Sequence, residues 1–270
     1  MFLYEDRQNR PATYVGAALI AAMIILYLKP VYDSIGGTTI QLIYDIIVPI
    51  LAGTCTVLSF LVARSYSPGE ILRRIWLFLG VGLLLWTIGE VVWAINELIL
   101  NIDPYPSYGD IAWIVGYVPL FIALWLRFRS LQATPERERV IPILILFVAL
   151  VIAATIFIFI PIFAEPDIAP FELLVDVLYP VGDLALALGA LLIVMVLTGG
   201  KLSRPWILIV AGFLIVAVAD LFYTYADWQG IYTAGESTNL VSSIADVTYY
   251  ISYVVIALGL YLQARIQKIL

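Results

Sequence analysis

Eight apolar runs, each long enough to cross a bilayer, follow one another along this chain with only short links between them. A span needs about 20 apolar residues. The runs cover about 12–33, 39–64, 71–99, 107–128, 140–163, 171–198, 205–228 and 240–266. No link has room for a soluble domain. The sequence therefore predicts an all-α polytopic membrane protein, because an open sheet cannot satisfy its backbone in hydrocarbon. Composition agrees: 63% of the 270 residues are hydrophobic, and 13% are charged, against about a quarter in a soluble domain. The polar stretch before the first run lacks the short apolar core and cleavage site of a signal peptide, so that run is expected to be retained.

Lys and Arg set the expected direction. Arg7 and Arg10 precede the first run. Arg64, Arg73 and Arg74 fall in the second link, Arg127, Arg129, Arg137 and Arg139 in the fourth, Lys201 and Arg204 in the sixth. Arg265 and Lys268 end the chain. Eight spans place all of these on one side and only Lys29 on the other. By the positive-inside rule both termini are cytoplasmic, and a cell membrane is the expected location. A seven- or nine-span reading scrambles the pattern.

The chain also resembles itself. A shift of 131 pairs Pro11 with Pro142, Pro30 with Pro161, Asp45 with Asp176 and Pro49 with Pro180. A shift of 130 pairs Arg74 with Arg204, Trp76 with Trp206, Gly82 with Gly212, Glu90 with Asp220 and Glu97 with Asp227. A shift of 136 pairs Asp110 with Asp246, Tyr117 with Tyr253 and Arg129 with Arg265. Two four-helix repeats, 1–133 and 134–270, are expected within one membrane domain. An even number of spans makes the repeats parallel, related by a pseudo-two-fold axis along the membrane normal.

Acids inside spans are expensive and need an account. Glu90 and Asp220 each lie 16 residues from the basic residue of their helix, Arg74 or Arg204, roughly 24 Å up at the helical rise. Asp110, Asp183, Asp45 and Asp246 lie 17 to 19 residues from theirs, roughly 26–28 Å up. Six acids from six helices thus share a layer just inside the outer boundary. Glu97, Asp176 and Asp227 sit higher. Four faces repeat one spacing of i, i+3, i+7, an acid beside aromatic rings: Glu90-Trp93-Glu97, Asp110-Trp113-Tyr117, Asp220-Tyr223-Asp227 and Asp246-Tyr249-Tyr253. Pointed at one another, Glu90, Trp93, Asp110, Trp113, Tyr117, Asp220, Tyr223, Asp246, Tyr249 and Tyr253 make an outward-facing acidic, aromatic pocket between the third, fourth, seventh and eighth spans.

No base accompanies the layer except Lys29. The acids are then protonated by burial and mutual repulsion, held by neighbouring hydroxyls and ring N–H groups, or paired with an external cation such as a metal ion or an ammonium over aromatic faces. Two other readings stay open. The acids and rings can form an interfacial belt, and a proton or ion path can run through them. The helices below the layer carry few polar groups to continue such a path.

The segment Tyr105-Pro106-Ser107-Tyr108-Gly109-Asp110, with Ala112-Trp113, Gly116-Tyr117 and Pro119-Leu120, resembles a stretch of the membrane input domains of bacterial and archaeal signalling proteins. Arg204-Pro205-Trp206 through Ala211-Gly212-Phe213 to Ala217-Val218-Ala219-Asp220-Leu221 is similar to the matching part of their second half. Gly109 stands where that pattern has Ala. The resemblance implies an eight-helix sensory domain of the kind that precedes sensor kinases and diguanylate cyclases; no output domain follows Leu270, so a separate signalling partner is expected. Alternatively, Ser107 and Asp110 serve only as N-cap and N3 of the fourth span.

Other chemistry is disfavoured. The chain has no histidine and one cysteine, Cys55, which removes His-based zinc, imidazole haem ligation and Ser-His-Asp catalysis. A net charge of −6 offers nothing to nucleic acid. Tyr44-Asp45 and Gly182-Asp183 are similar to motifs of presenilin-type intramembrane proteases, but Pro180 replaces the first glycine and the PAL motif is missing. Lys29 is too near a helix end for a retinal Schiff base. The sequence therefore points to a non-enzymatic sensory or ligand-binding module for a small cationic or amine ligand, with no cofactor specified. An ion- or proton-coupled transporter and an accessory subunit of a membrane complex are the alternatives.

Overall fold

The computed structural model describes residues 2–102, 104–132, 135, 137–197, 203–233 and 237–270, with side chains from Pro11 onward. The side chains of Arg7 and Arg10, Lys201 and the repeat boundary at 133/134 lie outside the described residues. All regular structure in the described residues is helical: α1 (Phe2–Leu26), α2 (Lys29–Ile35), α3 (Gly37–Arg64), α4 (Ile71–Ile95), α5 (Tyr108–Ser130), α6 (Arg137–Ala154), α7 (Ile160–Ala164), α8 (Pro170–Val196), α9 (Ser203–Trp228) and α10 (Leu240–Ile266). Single π turns extend α4 over Asn96–Leu100 and join α6 to α7 over Thr155–Phe159. Seven of these helices, the α6–α7 run counted as one, are long and apolar enough to cross a membrane.

The first apolar run differs from its sequence reading. It breaks into α1 and α2, bent by 77°. Proline explains the position. Pro30 has no N–H for the Leu26 carbonyl, and its ring would strike that carbonyl in a continuous helix. The helix stops at Leu26, Leu28 turns extended with ψ 124°, and α2 restarts with Pro30 in its first turn. Counted as one span, the bent pair brings the total to eight. Pro49, Pro119 and Pro180 instead sit inside unbroken helices.

Six helices close a ring: α3 packs on α4, α4 on α5, α5 on α8, α8 on α9, α9 on α10, and α10 returns to α3. Glycines set the close crossings. A Cβ on Gly82 of α4 would lie 2.4 Å from Leu120 of α5, and one on Gly212 of α9 would lie 2.3 Å from Ile256 of α10. Small residues let helix backbones approach where lipid offers no hydrophobic drive between helices. Across the ring, Trp76 of α4 meets Trp206 of α9 with centroids 4.8 Å apart, and Arg127 lies over the Trp206 ring. The remaining helices lie outside. α1 rests on α10, and α6 rests on α8 with only 11% of its apolar window buried.

Candidate functional site

The described acids of the layer collect at one end of the ring, opposite the end that carries Arg64, Arg74, Arg127, Arg204 and Arg265. Their partners are mostly phenols. Glu90, buried on α4, is the centre. Its Oε1 accepts from Tyr249 Oη at 2.5 Å, Tyr253 Oη at 2.9 Å and Trp113 Nε1 at 3.3 Å. Trp93 flanks Trp113, centroids 6.3 Å apart. One turn toward the basic end, Trp86 donates from Nε1 to the Trp113 carbonyl at 3.1 Å. Its ring meets Tyr117, Phe213 and Tyr253 edge-on. Below it Leu79, Leu83, Ile209 and Val216 are fully buried, so the layer stands on an apolar plug.

Tyr117 turns away from Glu90 and donates to Asp183 Oδ1 at 2.7 Å. Asp183 is 0% exposed, and its Oδ2 has no hydrogen-bond partner. Asp220 lies within electrostatic reach of both Asp183 and Glu90. Asp110 opens α5 through a capping box. Ser107 Oγ accepts from the Gly109 and Asp110 N–H groups, and Asp110 Oδ2 accepts from the Ser107 N–H at 2.5 Å. That is the N-cap arrangement Ser-x-x-Asp favours. Its other oxygen, Oδ1, accepts from Tyr179 of α8 at 2.7 Å. Asp246 accepts from Tyr232 at 2.8 Å, while its backbone carbonyl accepts from Tyr44 at 3.2 Å. Tyr223 packs on Tyr232 edge-on, centroids 4.8 Å apart. Asp176, higher on α8, accepts from Tyr105.

Two of these phenols lie in links outside the spans. Burial, then the Asp246 carboxylate, pushes Tyr232 far above its ordinary range. Burial, then the Asp176 hydrogen bond, does the same for Tyr105. Both therefore remain protonated donors.

Glycines seat the rings. A Cβ on Gly89 would lie 2.7 Å from the Trp113 ring, one on Gly116 2.5 Å from Trp86, and one on Gly182 2.6 Å from Tyr117. These glycines exist to admit an aromatic ring against a helix backbone.

The ten residues read from sequence thus form connected but distinct groups. Glu90, Trp113, Tyr249 and Tyr253 join directly, with Trp93 at their edge. Tyr117 and Asp220 attach through Asp183, Asp110 is held at the α5 cap, and Asp246 with Tyr223 gathers around Tyr232. The sequence reading left α8 out of the pocket, yet α8 supplies Asp183 and Tyr179. It also passed over Tyr44 and Tyr232. The available signal was a small residue before five of the six acids: Gly89-Glu90, Gly109-Asp110, Gly182-Asp183, Ala219-Asp220 and Ala245-Asp246.

Among the described residues no base is bonded to these carboxyls. Lys29 pairs with Asp33 at 3.3 Å on α2. Among the described residues no group of three or more His, Cys, Asp or Glu is arranged to hold a metal ion. Two shallow clefts lie on the bundle surface. One of about 520 Å³ is walled by Arg139, Pro142, Leu197 and Ile207 toward the basic end, and one of about 240 Å³ lies between α3 and α4. Neither is lined by Glu90, Asp183 or Asp220. Comparison with family models, curated proteins and solved structures finds no match to this chain.

Proposed function

We propose that the chain is a sensory module of the cell membrane, built from two parallel four-helix repeats, whose carboxyl–phenol network is the responsive element. Eight spans with both termini cytoplasmic fit the basic residues gathered at one end. The repeat is supported by corresponding crossings: Gly82 against α5 matches Gly212 against α10, and Trp76 meets its counterpart Trp206.

One observation carries the reading. Four of the carboxyls accept hydrogen bonds from the other half of the sequence. Glu90 is held by Tyr249 and Tyr253, Asp183 by Tyr117, Asp110 by Tyr179, and Asp176 by Tyr105. A carboxyl held only by neutral donors is stable as a neutral acid or as an anion beside a cation. Changing that state changes which groups donate, and hence how the halves grip each other. A small organic ammonium entering above Glu90 and Asp220 would shift the packing by its preference for one state. A separate cytoplasmic partner would read the shift. The apolar plug beneath Trp86 speaks against the carrier alternative.

Trp113 bonds Glu90 and is itself in contact with Trp86 and Trp93, so intrinsic fluorescence reports on the site. In the reconstituted full chain, ethanolamine or tetramethylammonium is expected to change emission saturably. Glu90→Gln and Asp220→Asn are expected to weaken the response about tenfold, the value of one charge-assisted contact of ~1.4 kcal/mol. Emission indifferent to every small ammonium, or unchanged affinity in both variants, refutes the proposal.

A further inference from the structure

The groove between α3 and α4 at the acid end lies outside the carboxyl–phenol network. Its walls are Ile46 and Ile50 of α3 and Val91, Ile95 and Ile99 of α4 and its π turn. These five are 41% to 69% exposed, so the groove opens outward from the bundle to acyl chains. One wall is acidic. Asp45 lines the groove yet is 6% exposed, and its Oδ2 has no hydrogen-bond partner. The Glu97 carboxyl, which accepts from Gln41 Nε2, lies within electrostatic reach of Asp45. Pro49, one turn on in α3, has no N–H to return to the Asp45 carbonyl. Asp45 thus lacks its helical partner on the main chain and any partner on one side-chain oxygen. On the other wall, α4 widens into its π turn, a feature frequent at functional sites.

We propose that this groove binds a single-tailed lipophilic amine dissolved in the bilayer, with the ammonium on Asp45 and the tail along the isoleucines. The charge argument selects the head group. An acid pair with no base lining the groove attracts an ammonium and repels a phosphodiester, so a zwitterionic phospholipid is excluded. The groove's small volume, about 240 Å³, suits a single alkyl chain.

Dicyclohexylcarbodiimide, which partitions into lipid, tests this on the full chain in phosphatidylcholine vesicles. A protonated carboxyl adds its O–H across one N=C bond of the reagent. The acyl group then migrates from oxygen to nitrogen, and nothing leaves. Peptide mass mapping locates the adduct. Asp45 is expected to be labelled. N,N-Dimethyldecylamine, which cannot capture the activated carboxyl as an amide, should at about four times its Kd slow labelling about fivefold, whereas decyl sulfate and trimethylamine should not. Ala94→Phe, which fills the groove and leaves both acids in place, is expected to suppress labelling while helix content stays constant. An unlabelled Asp45 overturns the proposal. So does labelling that N,N-dimethyldecylamine leaves unchanged, or equal protection by decyl sulfate. Equal protection by a two-tailed tertiary aminolipid, dioleoyl-dimethylaminopropane, would show two tails in the groove and also overturn it.

Discussion

Asp183 shows how much one hydroxyl does in this interior. It is fully buried, and Tyr117 Oη is its one hydrogen-bond donor among the described residues. Tyr117→Phe removes that donor and leaves a buried carboxyl wholly unbonded. The expected cost is about 1–3 kcal/mol in an unfolding titration in micelles. Asp183→Leu should recover part of it in the Phe background, because an apolar pair leaves nothing unsatisfied. A neutral Tyr117→Phe would mean the bond contributes nothing. The acid positions were legible at this scale, because an ionisable residue in an apolar run stands out. Their phenol partners were not. Tyr179 and Tyr117 belong to other helices, and helical spacing orders residues within one helix only. Asp110 shows the two readings of a motif becoming one. One oxygen caps α5, and the other reaches across to Tyr179.

Elements were legible to within a few residues, since apolar length fixes a span. The exception is the first run, where hydropathy continues smoothly through Pro30 but the backbone cannot. Spin labels at Tyr14 and Ser34 can measure the break. A straight helix separates these positions by about 30 Å. The observed bend of 77° shortens that to about 24 Å at the same rise per residue. Pro30→Ala is expected to lengthen the distance toward the straight value by restoring the bond to Leu26. An unchanged distance would mean that packing of α2 on α3 holds the bend. The π turns were invisible to any periodicity argument. One extra residue in a turn does not alter the composition of the run that contains it.

At the scale of the whole molecule, the order of helices around the ring is what the sequence hid. All eight runs are apolar, and hydropathy sets apart only the α6 run, the most apolar of the seven unbroken ones. The acids separate centre from periphery. Each of the six ring helices carries an embedded acid, whereas α1 and α6 are bare along their apolar stretches and rest outside. Orientation has a direct check. With Cys55 replaced by Ala, a cysteine at the exposed Ser67 should resist a membrane-impermeant maleimide added to intact cells. A cysteine at the exposed Gln229 should react. The reverse pattern would invert the molecule and place the acid layer on the cytoplasmic face.

The Trp76–Trp206 contact has an optical consequence. Two indoles 4.8 Å apart and tilted by 40° couple their electronic transitions, so their joint circular dichroism depends on mutual angle and separation. Because one ring belongs to α4 and the other to α9, any sliding of these helices alters the ultraviolet spectrum. The protein therefore carries its own gauge of internal motion, readable without a label.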